Sequence, residues 1–180
     1  MPRFIAFLRA INVGGRLVAM AALRKHFEAM GLDEVETFIA SGNVLFTSAK
    51  KEPALRTLIE RTLAKELGFE VATLLRTTDE LTTLAGSKVL AKARTGVPTT
   101  VVGFLHEPLS AAAVARLKGI ETDVDRFTVE GRHIYWLCSV KQSESKLTLA
   151  KLEKAIGGPA TFRGVNTVER LMAKLVTKIG

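Results

Sequence analysis

Phe4, Ile5, Ala6, Phe7 and Leu8 form an unbroken apolar run, after which Met20, Leu23, Phe27 and Met30 recur at helical spacing until Gly31 stops them. The run predicts a strand over residues 4–9, and the recurrence predicts a helix. Residues 35–40 and 43–48 read as two further strands joined near Ser41 and Gly42. Residues 53–68 then place Leu55, Leu58, Ile59, Leu63 and Leu67 in a helical stripe, with Pro53 suited to the first turn and Gly68 to the C-terminal cap. Residues 69–75 supply a fourth strand. The order is β-α-β-β-α-β, the split βαβ arrangement in which an antiparallel sheet carries two helices on one face.

The second half begins the plan again. Residues 77–86 predict a short helix with Thr77 and Glu80 placed as a capping box, and residues 87–98 lose periodicity and carry Gly96 and Pro98, which reads as a linker. Beyond it come a strand at 99–105, a helix at 110–118 capped by Ser110, and a hairpin over 125–138 turning at Glu130 and Gly131. A helix at 145–158 closed by Gly157 and Gly158, a short strand at 160–163 and a terminal helix at 166–179 striped by Val168, Leu171, Leu175 and Ile179 complete the chain. The predicted fold is α+β, with two tandem ferredoxin-like units. The first occupies residues 1–86 with an added short helix, 87–98 link, and 99–180 form the second with a C-terminal helix. Along residues 4–8, Phe4, Ala6 and Leu8 alternate with Ile5 and Phe7, so both faces of that strand demand cover. One layer of helices cannot supply it.

Composition narrows the class. Hydrophobic residues make up 47% of 180, enough for a shared core, yet no apolar run approaches the ~18 residues that span a bilayer. Arg9 cuts the opening "FIAFL" before a signal-peptide core forms, which points to the cytoplasm. The single cysteine, Cys138, cannot close an intramolecular disulfide, and His26, His106 and His133 lack metal-ligand spacing, so no metal or cofactor is expected. Cys138 and Trp136 read as core, while His133 and Tyr135 share the other face of their strand, where sheet packing is the plainer role. Lys and Arg number 26 against 18 Asp and Glu, a formal charge of +8 that favours phosphates but is dispersed along the helices. An RNA-stacking sheet would need a K/R-G-F/Y-G/A-F-V-x-F/Y-like segment, and none occurs.

Arg9, Asn12, Gly14 and Gly15 lie where the first strand gives way to the first helix. Backbone N–H groups there can approach a phosphate, with Arg9 as a bidentate donor, although neither dinucleotide nor P-loop spacing is met. The other reading is a tight turn with Arg9 paired to a carboxylate. Ser41, Gly42 and Asn43 suit a strand-to-strand turn equally well. Asn166, with Glu169 three residues on, fits a capping box, and Arg163 just before it has no such structural role. Ser143 and Lys146 spell the S-x-x-K of serine acyl enzymes, but the companion motifs fall in the wrong order. A solvent-facing loop, with Ser145 or Thr148 capping the following helix, is the simpler account.

With "FLRAINVGG", "SGNVLF", "SKLT" and "ATFRGVNTVERL" placed, the chain resembles the bacterial family designated domain of unknown function 1697 over essentially its whole length. The resemblance implies a pair of related α+β units whose biochemical role is unassigned. Arg9, Asn12, Gly14, Gly15, Ser41, Gly42, Asn43, Arg163, Asn166 and Thr167 match the family pattern. Where that pattern has Arg-Asn-Trp-Asn-Thr, this chain has Arg163, Gly164, Val165, Asn166 and Thr167, so the central asparagine and tryptophan of the pattern are missing. The expectation is a cleft between the units, lined by Arg9, Asn12, Gly14, Gly15, Asn43, Lys146, Arg163, Asn166 and Thr167, that binds an anionic, phosphate-bearing small ligand. A small transferase or hydrolase with Lys146 or Ser41 reacting, and weak nucleic-acid binding, stand as alternatives. No membrane partner is expected, and the sequence leaves the oligomeric state open.

Overall fold

The opening apolar run becomes the central strand of a four-stranded sheet. In the computed structural model, which describes residues 1–93 and 99–176, β1 (Arg3–Leu8) pairs antiparallel with β3 (Asn43–Thr47) on one side and β4 (Thr73–Thr77) on the other. β2 (Asp33–Phe38) lies outside β3, giving the order β2-β3-β1-β4. Alternation along β1 sorts its side chains. Phe4, Ala6 and Leu8 join a core with Leu23 and Phe27 of α1 (Met20–Ala29) and Leu55, Ile59 and Leu63 of α2 (Glu52–Leu67). The Phe46 ring centroid sits 5.7 Å from both Phe4 and Phe27, within the range for favourable aromatic pairs. Ile5 and Phe7 fall outside that core yet are also fully buried, as the two-sided apolar run demands.

The fourth strand is shifted relative to the prediction at 69–75: it starts at Thr73 and runs on through Arg76 to Thr77. Arg76 is fully buried in the middle of the ladder opposite Ile5, with Nη1 donating to the Leu75 carbonyl at 2.6 Å. A charged residue ended the apparent apolar run while the backbone pairing continued.

The chain divides into two compact units, Met1–Leu81 and Thr82–Gly180, with the boundary inside α3 (Thr78–Ala85). The predicted capping box at its start is formed, since Thr77 N donates to Glu80 Oε2 at 2.9 Å and Glu80 N donates to Thr77 Oγ1 at 3.2 Å. Part of the segment expected as a linker is helical: α4 (Lys88–Ala93) follows Ser87, whose Oγ accepts from Val89 N at 3.2 Å, and Leu90 is fully buried. Residues 94–98 of that segment lie outside the described residues.

The second unit repeats the first sheet's strand order. β5 (Thr99–Phe104) is central, flanked by β7 (His133–Cys138) and β8 (Thr161–Gly164), with β6 (Asp125–Glu130) outside β7, in the order β6-β7-β5-β8, all antiparallel. α5 (Ala111–Gly119) and α6 (Leu149–Ile156) contribute Leu117, Leu152 and Ile156 to a core with Val101, Phe127, Ile134 and Trp136. α7 (Val165–Val176) follows β8 without an intervening loop. Among the described residues the architecture is thus α+β, with two four-stranded antiparallel sheets and seven α-helices. No described helix is long and apolar enough to cross a membrane.

Candidate functional site

In the first unit the predicted residues gather at the end of the sheet where β1 finishes and β3 begins. Leu8 N donates to Gly42 O, and Arg9 N to Ala72 O, each at 2.9 Å, so the backbone leaves the ladder firmly held. Asn12 then closes the following loop on itself: its Oδ1 accepts from Val18 N at 2.6 Å, and its Nδ2 donates to Ala40 O at 2.9 Å in the β2–β3 connection. The side chain is a clasp between two loops. Between its ends, Arg16 N donates to Val13 O at 3.2 Å, and Gly14 and Gly15 have φ of +62° and +83°. Positive φ at both central positions is the type I′ requirement, so the glycine pair makes a tight turn. Its surroundings are open, with no heavy atom within 4 Å of a Cβ built on either glycine.

Asn43 is fully buried, and its Nδ2 donates to Phe38 O at 3.1 Å and to Ser41 Oγ at 2.8 Å. It pins the β2–β3 turn. Gly42 carries a φ of +76°, and a Cβ there would stand 2.5 Å from Ile11 Cγ2, so both backbone conformation and space require glycine. The amide groups of Asn12 and Asn43 are therefore engaged in holding loops, while Leu17 and Val13 project beside them at 88% and 54% exposure.

In the second unit, Arg163 pairs with Val102 in the β5–β8 ladder and donates from Nη1 to Thr161 Oγ1 at 2.9 Å and to Phe162 O at 3.0 Å. Burial pulls its pKa down to about 10, which leaves it protonated at neutral pH. Asn166 and Thr167 lie within the first turn of α7, not ahead of it. The strand runs straight into the helix, so the N-cap role expected for Asn166 is not available. Ser143 sits in a 3-10 turn and Lys146 in the exposed segment before α6, so no helix carries the pair one turn apart. Thr148 caps α6 by accepting from Lys151 N at 3.3 Å.

Ser145 turns instead to a centre that the sequence reading missed. Asp125, fully buried, accepts from Trp136 Nε1 at 2.7 Å, from Thr122 Oγ1 at 2.7 Å and from Ser145 Oγ at 2.9 Å. Burial pushes its carboxyl up, but the bonds from Thr122, Trp136 and Ser145 outweigh that and hold it below the usual aspartate value. The cluster ties the loop before β6, strand β7 and the approach to α6 together.

Two depressions on the α5–α6 side of this unit were also not foreseen. One, of about 310 Å³, is lined by His106, Ser110, Arg116 and the Gly157, Gly158 pair, among others. The second, of about 710 Å³, is lined by Arg116, Ile120, Glu121, Leu147, Lys151, Lys154 and neighbouring residues. Arg116 borders both, and its Nε donates to Ala155 O at 2.8 Å, which fixes the guanidinium across the two helices. Glu121 accepts from Phe127 N at 2.7 Å and Lys118 Nζ at 3.0 Å, so its charge is already answered. The available signal was Lys151 and Lys154, three apart and hence on one helical face.

Comparison with known proteins places the chain as follows. The model of a family described as "Protein of unknown function (DUF1697)" matches residues 1–135. The solved structure of the conserved bacterial protein SP0830 from Streptococcus pneumoniae is similar at 25% identity, with a TM-score of 0.79 over 96% of this chain and 97% of that one. No curated protein matches.

Proposed function

The chain belongs to the DUF1697 family of proteins of unknown function, and from that premise we propose that it is a binding protein for an anionic, phosphate-bearing small ligand. The observation that carries this reading is Arg116. Its Nε bond to Ala155 O orients the fork in advance, at the border of two depressions, where Lys151 and Lys154 add positive charge. A guanidinium held in this way loses little conformational freedom when it takes a phosphate in bidentate fashion. The overall charge of +8 favours encounter with such ligands. Arg163, still cationic at neutral pH beside the first turn of α7, supplies a second anion-seeking group. In the same reading each unit is ferredoxin-like, supported by its β-α-β-β-α-β order and by sheet orders that place the first and third strands at the centre.

The test is a thermal-shift series on the full chain with inorganic phosphate, nucleotides and sugar phosphates. At least one raises Tm, and Arg116→Ala abolishes the rise. A rise that survives Arg116→Ala but disappears in Arg163→Ala moves the site to the β8–α7 junction. No rise with any compound defeats the proposal. Affinity for duplex DNA falling by about 0.9 log unit per phosphate contact per log unit of salt would favour nucleic acid instead.

A further inference from the structure

Resting on that anionic-ligand reading, we propose that the larger depression between α5 and α6 takes an amphiphilic anion, a single alkyl or aryl segment ending in a phosphate or carboxylate. It is an open surface depression whose volume, about 710 Å³, falls in the range of small-molecule sites. The lining divides by chemistry: Ile120, Leu147 and Ala155 are apolar, and Arg116, Lys151 and Lys154 are cationic. Ile120 and Leu147 pack on the core of the second unit while remaining partly exposed, which makes a firm apolar floor. Inorganic phosphate would leave that floor wet, and a neutral lipid would leave the cations unanswered.

Other occupants fit less well. A docked amphipathic helix needs anchors at i, i+3, i+4 and i+7, more than three apolar residues can seat. Single-stranded nucleic acid needs aromatic stacking surfaces, and the lining has none. The carboxylate in the lining, Glu121, is held by Phe127 N and Lys118, and those bonds outweigh burial to keep its pKa below the usual glutamate value. It therefore stays paired at neutral pH and does not claim the three rim cations.

Isothermal titration of the full chain with inorganic phosphate, octyl phosphate below its micelle concentration and octanol tests the proposal at constant ionic strength. Octyl phosphate binds at least about 10-fold more tightly than inorganic phosphate, because methylene groups leave water on binding. Leu147→Ser, confirmed as folded by circular dichroism, removes that advantage, and an advantage kept in this variant overturns the apolar floor. Lys151→Gln with Lys154→Gln, on the helix surface, weakens both anions. Equal affinity for the two phosphates overturns the amphiphile while the anion reading stands. Octanol binding as tightly as octyl phosphate overturns the role of the cations, and absence of all binding overturns both readings.

Discussion

Gly42 answers two demands at once, a left-handed backbone and an approach to Ile11 that excludes a Cβ. Gly14 answers only the first, since open space surrounds it. Gly42→Ala therefore costs about 2–4 kcal/mol by combining strain with overpacking, and Gly14→Ala about 1 kcal/mol, an order that urea denaturation checks directly. Asp125 is the other residue on which much depends. Asp125→Ala leaves the Trp136, Thr122 and Ser145 donors without their acceptor and costs about 2–3 kcal/mol. Its folded pKa lies below the unfolded value of about 3.9, so its stabilisation is complete above that value and drains away as pH falls through the folded pKa. Asp125→Asn should accordingly flatten the acid decline of Tm below about pH 4, and an unchanged acid limb would show that other carboxylates govern it. The turn residues were legible because turn chemistry is local: Ser41, Gly42, Gly14 and Gly15 stand where the chain reverses. Asp125 was not, because Trp136 and Ser145 are 11 and 20 positions away in the chain.

At the scale of elements, spacing and caps were read correctly where both fall within one helix. Ser110 Oγ accepts from Ala113 N at 3.2 Å at the start of α5, and Ser110→Ala should lower stability by about 1 kcal/mol in chemical denaturation. Local pattern says less where tertiary partners override it. β4 carries a buried arginine through its centre, and α4 arises beside Ser87, whose Oγ also donates to Glu130 Oε2 at 2.8 Å, 43 residues on. Asn166 had the right neighbours for a cap, but the strand before it leaves no room for one. The α5–α6 groove was invisible for a similar reason, since it needs Arg116 of one helix set beside Lys151 and Lys154 of another.

Across the whole molecule, the repeated strand order shows that two stretches of different sequence solve the same packing problem, with the long central strands buried in each sheet. Cys138 offers a probe of the second. It lies on β7 between Thr99 of β5 and Asp125 of β6 and is fully buried. Burial pushes its thiol pKa up, and the negative charge of Asp125 adds to the effect. The folded protein should resist thiol reagents at pH 8, and labelling across a urea series should follow the opening of this sheet. Rapid labelling in the absence of denaturant would mean that β7 opens locally.

The Asn12 clasp has an engineering consequence. Because its amide joins the chain at Val18 and at Ala40, the turn at residues 13–16 hangs beyond a closed gate, out of the ladder's reach. A reporter peptide spliced between Gly14 and Gly15 would lengthen only that outer arc, and the sheet behind it would keep its register.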